Sequence, residues 1–252
     1  MGKVPLDELS LFFPCHNEAE NLEALVNEAL TALPALATTY EVILVDDGSR
    51  DDTAGVAERL VERHGGVVRL VRHEVNRGYG GALRSGFAAA RYRHLAYTDG
   101  DRQFRVADLS KLVDCAEATS APVVIGYRLR RADPPLRTIY ATIYRFANRV
   151  WFGLRVRDVD CAAKLFQRDA LRGIRVRSDG AFFSAELLIR LHLAGVNIGE
   201  VGVPHYPRTA GSPTGARLSV ITRAVRDFWS LRIGLWLNRA SALALGEPLL
   251  RD

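Results

Sequence analysis

Cysteine is scarce in this chain of 252 residues. Cys15, Cys115 and Cys161 stand far apart, which gives neither a disulfide framework nor a close metal-type spacing and points to reduced thiols of a cytosolic protein. Long apolar runs are missing as well: no segment reaches the roughly 18–20 uninterrupted apolar residues of a membrane span. The first nine residues carry Asp7 and Glu8 and do not read as a secretory leader. Lysine is rare, so nearly all the positive charge is arginine, and acidic residues are nearly absent between positions 127 and 157. What is present is ordinary for a globular protein, with 48% hydrophobic and 25% charged residues. That suffices for one large α/β domain with a real core, or for two small ones. The net charge of +5 and a pI near 9.3 suit polyanionic partners, namely nucleic acid, anionic lipid or a phosphorylated substrate.

Strand and helix patterns alternate from residue 9 to residue 126. A short apolar run at 9–15 precedes a helix marked by Leu22, Leu25, Val26, Ala29, Leu30 and Leu33. The β-prone run 40–45 has the texture of a strand buried on both faces. It ends in Asp46-Asp47-Gly48-Ser49-Arg50-Asp51-Asp52-Thr53, a turn leading to a helix N-cap, where Asp51 and Thr53 read as turn and cap residues. A helix through Val56, Ala57, Leu60 and Val61, a strand at 67–71, and a helix opened by Asn76-Arg77-Gly78-Tyr79-Gly80-Gly81 follow. Another strand, a helix at about 109–118 and a strand at 122–126 complete the series. The alternation predicts an α/β fold with a right-handed, doubly wound parallel sheet and no linker or repeat. The glycines at 78, 80 and 81 lack the Gly-x-Gly-x-x-Gly spacing and belong to a later βα unit, so they read as a tight strand-to-helix turn.

The chemistry is expected around Leu95-Ala96-Tyr97-Thr98-Asp99-Gly100-Asp101-Arg102-Gln103-Phe104. An apolar run delivers two carboxylates to the carboxyl end of a strand, the edge where open α/β sheets bind ligands. Hard divalent cations take one or two carboxylates and fill their other positions with water and substrate phosphate. Asp99 and Asp101 meet that description if Gly100 allows a tight turn between them, and Gln103 adds a neutral oxygen. Taken alone, a solvated Asp-Gly turn explains the same residues; the surrounding motifs decide.

Beyond Gly126, arginines 128, 130, 131, 137, 145, 149, 155 and 157 interleave with Tyr140, Tyr144, Phe146, Trp151 and Phe152. The segment 217–239 repeats the texture with Phe228, Trp229, Ile233, Leu235 and Trp236. Such basic amphipathic helices lie in membrane interfaces; core or oligomer packing with a solvated arginine rim, and nucleic-acid binding, are the other readings.

In order and spacing, several motifs resemble the family 2 glycosyltransferases of the GT-A fold. They are Pro14-Cys15-His16-Asn17-Glu18, Val45-Asp46-Asp47-Gly48-Ser49, Asn76-Arg77-Gly78, Asp99-Gly100-Asp101 with Gln103, and Val124-Ile125-Gly126-Tyr127-Arg128. Arg157-Asp158-Val159-Asp160-Cys161 with Lys164 follows, then Glu200-Val201-Gly202-Val203-Pro204 with Arg208, Gly211 and Ser212. The branch they match best is that of dolichyl- or polyprenyl-phosphate mannosyl- and glucosyltransferases, with a catalytic domain over residues 1–215 and a basic amphipathic helix and tail over 216–252.

The resemblance implies a donor site bordered by Pro14, Asn17, Glu18, Asp47, Gly48 and Gly100, with Glu18 accepting from ribose and Asp47 from the base edge. It implies Mg2+ or Mn2+ on Asp99, Asp101 and Gln103, and phosphate oxygens clamped by Arg128 and Arg208. The implied partners are a nucleotide sugar of GDP-mannose or UDP-glucose type, a polyprenyl phosphate, and an anionic membrane surface or membrane-anchored partner, with no nucleic acid and room for a homo-oligomer. Asp160, with Asp158, falls in the acceptor motif.

Relatives acting on hydroxyls often carry a Glu-Asp pair, and processive ones a Gln-x-x-Arg-Trp; here the corresponding helix reads Phe183-Ser184-Ala185-Glu186 and has neither. A hydroxyl acceptor needs a general base, whereas a lipid phosphate is already ionised, so a polyprenyl phosphate is the expected acceptor. Departures from the family include Ala162-Ala163 before Lys164, Arg102 beside Gln103, and Pro213-Thr214-Gly215 after Ser212. Transmembrane helices found in many bacterial relatives are missing, so membrane association is expected to be peripheral or lent by a partner, and the expected location is the cytoplasmic face. A glycan or small-molecule acceptor, and a non-catalytic basic scaffold, are the competing readings.

Overall fold

Runs that are apolar on both faces build the centre of the molecule. In this computed structural model, which describes residues 6–129, 135–207 and 218–250, the chain runs β1 (Leu6–Cys15), α1 (Ala19–Ala32), β2 (Ala37–Asp46), α2 (Thr53–Arg63), β3 (Val68–Arg72), α3 (Tyr79–Ala89), β4 (His94–Tyr97), α4 (Leu109–Thr119) and β5 (Val123–Arg128). It continues through α5 (Pro135–Phe152), β6 (Lys164–Gln167), β7 (Arg175–Val176), α6 (Phe183–Leu193), β8 (Ile198–Val203), α7 (Leu218–Leu237), α8 (Arg239–Ala244) and β9 (Glu247–Pro248). Seven strands form one sheet in the order β3-β2-β1-β4-β6-β5-β8, and β7 pairs with β9 in a small ribbon.

The pairing is parallel except at β6, which runs antiparallel to both β4 and β5. Strand–helix alternation does not anticipate this strand. The reversal has a topological consequence: the chain leaves β5 and re-enters β6 at the same edge of the sheet. The described residues 135–163 therefore belong to the edge where β1, β2 and β4 end. Strand β8, parallel to β5, delivers residues 204–207 to that edge as well.

An aromatic cluster holds α3 to the sheet. Phe12 of β1, Tyr97 of β4, Phe166 of β6 and Phe87 of α3 are fully buried, with ring centroids 5.0–6.1 Å apart. Truncating such a ring to alanine costs about 3–5 kcal/mol. The glycines that open α3 make room for a neighbouring segment: a Cβ on Gly80 would sit 2.7 Å from the backbone carbon of Asp179, whose carbonyl accepts the Gly80 N–H at 3.0 Å.

The two basic helices divide their faces. Phe152 and Phe228 are buried edge to face at 4.9 Å. Trp151 and Trp229 pair at 5.1 Å on the outside, beside exposed Phe146, Val150, Val225, Ile233 and Trp236. Core packing thus accounts for one stripe of each helix and leaves the other open. Among the described residues no helix is long and apolar enough to cross a membrane.

Candidate active site

The loops after β1 and β2 are bound to each other before any ligand is considered. Asn17, held at a left-handed φ of 58°, donates its N–H to Ser49 Oγ at 2.9 Å and accepts the Arg50 N–H on Oδ1 at 2.8 Å. Glu18 donates its N–H to Thr53 Oγ1 at 2.9 Å, and Ala19 donates to Asp51 Oδ2 at 3.2 Å. Asp51 and Thr53 therefore tie the start of α1 to the start of α2, while the N-cap position of α2 falls on Asp52, whose side chain makes no capping bond. Burial pushes the Asp51 carboxyl up, but the Thr53 and Ala19 donors outweigh it and hold it below its usual value. The Glu18 carboxylate is half-buried and accepts from Asn21 Nδ2 at 2.6 Å. Pro14 closes β1 and is buried.

Asp47 is buried too, and its oxygens serve the protein. His73 Nδ1 lies 2.7 Å from Oδ1, the Arg77 N–H donates to Oδ1 at 2.8 Å, and the Gly78 N–H donates to Oδ2 at 2.9 Å. The carboxylate pins the backbone at 77–78. These three contacts tie Asp47 to the loop that follows β3. Gly48 turns at φ 61° against the backbone of Val75 and Asn76.

The paired acids stand at the end of β4. Asp99 is half-buried and accepts the Tyr79 hydroxyl on Oδ1 at 2.9 Å. Asp101 is buried and accepts the Gln103 N–H at 3.0 Å. Gly100 is required by space rather than by an unusual backbone angle: a Cβ there would lie 3.1 Å from Cys15 Sγ and 3.2 Å from the Pro14 carbonyl oxygen. The left-handed turn falls instead on Arg102, at φ 60°, whose guanidinium reaches Glu28 at 3.7 Å. Gln103 is clamped to the segment after β8. Its Nε2 donates to the Tyr206 carbonyl at 3.2 Å, and the Tyr206 N–H donates back to the Gln103 carbonyl at 2.9 Å. Arg105 lies over the Tyr206 ring at 4.3 Å.

Among the described residues no group of three or more His, Cys, Asp or Glu side chains has metal-binding placement. The local donor set is two carboxylates and an amide oxygen. That composition fits a hard divalent cation shared with substrate phosphates and water, and it does not fit a cation enclosed by protein alone.

The segment 157–161 reaches the same edge. Arg128 Nε and Nη2 donate to Asp158 Oδ2 and Oδ1 at 2.7 and 2.8 Å. Lys164 is fully buried and donates to the carbonyls of Val159, at 3.1 Å, and Cys161, holding the 159–161 turn. Burial works against its charge, but Tyr97, Cys161, Asp160 and Asp158 outweigh it and raise its pKa. Asp160 is exposed and shares a depression with Tyr144, Arg145 and Asp158. Burial raises the Tyr144 phenol pKa, and the nearby Asp160 adds to it. Arg208, with Gly211 and Ser212, lies outside the described residues.

The acid of α6 is structural. Glu186 is buried; Oε1 accepts the Arg177 N–H and Arg190 Nε at 3.0 and 2.8 Å, and Oε2 accepts the Ser178 N–H at 2.8 Å. A separate hollow of about 340 Å³ between α6 and α7 has its acids matched internally, Asp179 by Arg84, Glu186 by Arg190 and Asp227 by Ser178. Tyr79, His73 and Tyr206 carry site geometry that sequence reasoning did not assign. The Asn76-Arg77-Gly78-Tyr79 motif was the available signal for the first; nothing in the pattern marked the other two.

The model of glycosyl transferase family 2 matches residues 10–175, spanning β1, the paired acids and β6. The chain belongs to glycosyltransferase family 2. This family 2 chain is 31% identical over 209 residues to the dodecaprenyl-phosphate galacturonate synthase of Rhizobium johnstonii, covering 81% of itself and 60% of that protein. It is 34% identical over 219 residues to the dolichyl-phosphate beta-glucosyltransferase of Drosophila melanogaster, covering 79% and 67%. The chain thus spans about two thirds or less of these relatives' lengths. Its fold matches glucosyl-3-phosphoglycerate synthase from Mycobacterium tuberculosis, solved with Mn2+, UDP-glucose and phosphoglyceric acid. The TM-score is 0.70 at 20% identity, covering 90% of this chain and 80% of that one. The architecture of this family 2 chain is therefore GT-A, a mostly parallel sheet flanked by helices.

Proposed function

We propose that this family 2 glycosyltransferase moves a hexose from a nucleotide sugar to a polyprenyl phosphate at a membrane surface, in one in-line displacement with inversion. The observation that carries the reading is the meeting of two halves at one sheet edge. Asp99 and Asp101 stand at the end of β4, and the antiparallel β6 brings the end of the arginine-rich 135–163 stretch to the same place.

Asp99, Asp101 and the Gln103 amide oxygen would hold Mg2+ or Mn2+, which neutralises the charge building on the departing diphosphate. Pro14, Asn17 and Glu18 border the nucleotide, and Gly48 and Gly100 let backbone approach it. Asp47 contributes by fixing the 77–78 backbone. Asp160 faces solvent and orients the acceptor. Arg128 holds Asp158 and adds positive potential, and Arg208 is assigned to the acceptor phosphate. A lipid phosphate needs no deprotonation, and the acid of α6 is fully engaged inside the protein, which supports an ionised acceptor over a hydroxyl. The names of the two relatives support a polyprenyl-phosphate acceptor, and favour a glucose-type donor over GDP-mannose.

The exposed stripe of α5 and α7, with Trp151, Trp229, Trp236 and neighbouring arginines, suits an anionic interface on the cytoplasmic face. Each arginine near such a surface adds about 1 kcal/mol.

Radiolabelled UDP-hexoses and GDP-mannose, each incubated with polyprenyl phosphate in vesicles and Mn2+, test the reading. Label is expected in the lipid extract, and excess EDTA or Asp101→Asn should abolish it. Label recovered only in a water-soluble product would overturn the acceptor assignment, and full transfer by Asp101→Asn in EDTA would overturn the cation assignment.

A further inference from the structure

The first residue of α3 touches the paired acids. Tyr79 lies on the last motif before the helix, and its backbone is fixed on both sides. The Arg77 and Gly78 N–H groups donate to Asp47, and the Gly80 N–H donates to the Asp179 carbonyl at 3.0 Å. The ring therefore leaves a rigid base and points across the site, where its hydroxyl donates to Asp99 Oδ1 at 2.9 Å.

We infer that Tyr79 is a positioning residue that sets the orientation of Asp99 for a divalent cation and ties that carboxylate to the nucleotide-side loop through α3. The inference rests on the reading of Asp99 and Asp101 as cation ligands. Carboxylates that ligate metals are themselves oriented by hydrogen bonds, and loss of such a partner typically weakens metal binding about 10–100-fold. Without the phenol, Asp99 loses the hydrogen bond that ties it to α3, and its orientation for the cation is less well set. The chain of contacts Asp47, Gly78, Tyr79 and Asp99 further links the segment beside the nucleotide to the acid beside the diphosphate.

The test uses the full chain and Mn2+ with UDP, read by electron paramagnetic resonance of free Mn2+, with no turnover involved. Phe at position 79 keeps the ring and its packing, and a thermal melt without metal checks that the fold is retained. Tyr79→Phe should weaken Mn2+ binding about tenfold or more, and raising Mn2+ should restore much of the transfer rate. In an Asp99→Asn background the same change should add no further loss, because the bond it removes no longer serves a ligand. Wild-type Mn2+ affinity in Tyr79→Phe, alongside abolished binding in Asp101→Asn, would overturn the inference and leave the cation site standing. Equal losses from Tyr79→Phe with and without Asp99→Asn would also overturn it. Unchanged binding in Asp101→Asn would bring down the cation reading itself.

Discussion

Arg128 and Asp158 meet as two parallel hydrogen bonds, Nε to Oδ2 at 2.7 Å and Nη2 to Oδ1 at 2.8 Å, with side chains only 9% and 4% exposed. The pair joins the end of β5 to the segment 157–161. Burial works against the guanidinium charge, and the Asp158 hydrogen bonds outweigh it, so its pKa is raised. Breaking such a buried pair by removing one partner costs about 3–5 kcal/mol. Asp158→Asn should therefore lower the melting temperature by many degrees. Arg128→Lys keeps the charge but loses the fork. It should melt closer to wild type while kcat/KM for lipid acceptor falls about 10–100-fold, a drop in line with losing a charge-assisted bond of about 1.5–3 kcal/mol. Calorimetry and lipid-product rates check both.

Glu186 separates structure from chemistry. Its carboxylate bridges Arg190 of α6 to the backbone of residues 177 and 178. Glu186→Gln should destabilise the fold by about 3–5 kcal/mol, seen in the urea midpoint, yet leave the rate per folded molecule near wild type. A collapse of rate in a well-folded variant would make Glu186 a base and favour a hydroxyl acceptor.

Cys161 gives a pH dependence with a fixed sign. Burial pushes its thiol from 9.0 up to about 12. The native state holds this proton more tightly than the unfolded chain, so the contribution is fully present below pH 9 and is lost as pH rises toward 12. Urea midpoints for the wild type should fall between pH 9 and 11 more steeply than those of Cys161→Ala. The buried Cys15 and Cys161 should also resist alkylation at pH 8.

The open stripe of α5 and α7 predicts membrane binding that combines charge and apolar area. Flotation with vesicles containing anionic lipid should weaken as salt rises from 0.05 to about 0.5 M, because the Debye length shrinks severalfold. Phe146→Asp and Trp236→Asp, both at strongly exposed positions, should release the protein from vesicles without lowering its melting temperature.

Much of this fold was legible because its first half repeats one rule. Apolar runs such as 42–45 are buried whichever way a strand faces, and polar turns follow them before each helix. The paired acids were legible for the same reason, as polar residues at the end of an apolar strand. Reversal of β6 was not, because a four-residue strand containing a buried lysine has no local sign of its direction. The use of Asp47 on backbone N–H groups also escaped the pattern, since an acid in a turn looks alike whether it meets a ligand or the next loop. Tyr79 sat inside a motif read for its glycines.

The reversed strand has an architectural meaning of its own. Because β5 ends and β6 begins at neighbouring strand ends, residues 135–163 lie along one edge of the sheet, yet Phe152, Leu154, Val156, Val159 and Cys161 root that stretch in the core and Asp158 ties it to β5. The stretch is thus anchored at several points, and the positions where the fold should tolerate change are its exposed ones, such as Phe146 and Val150.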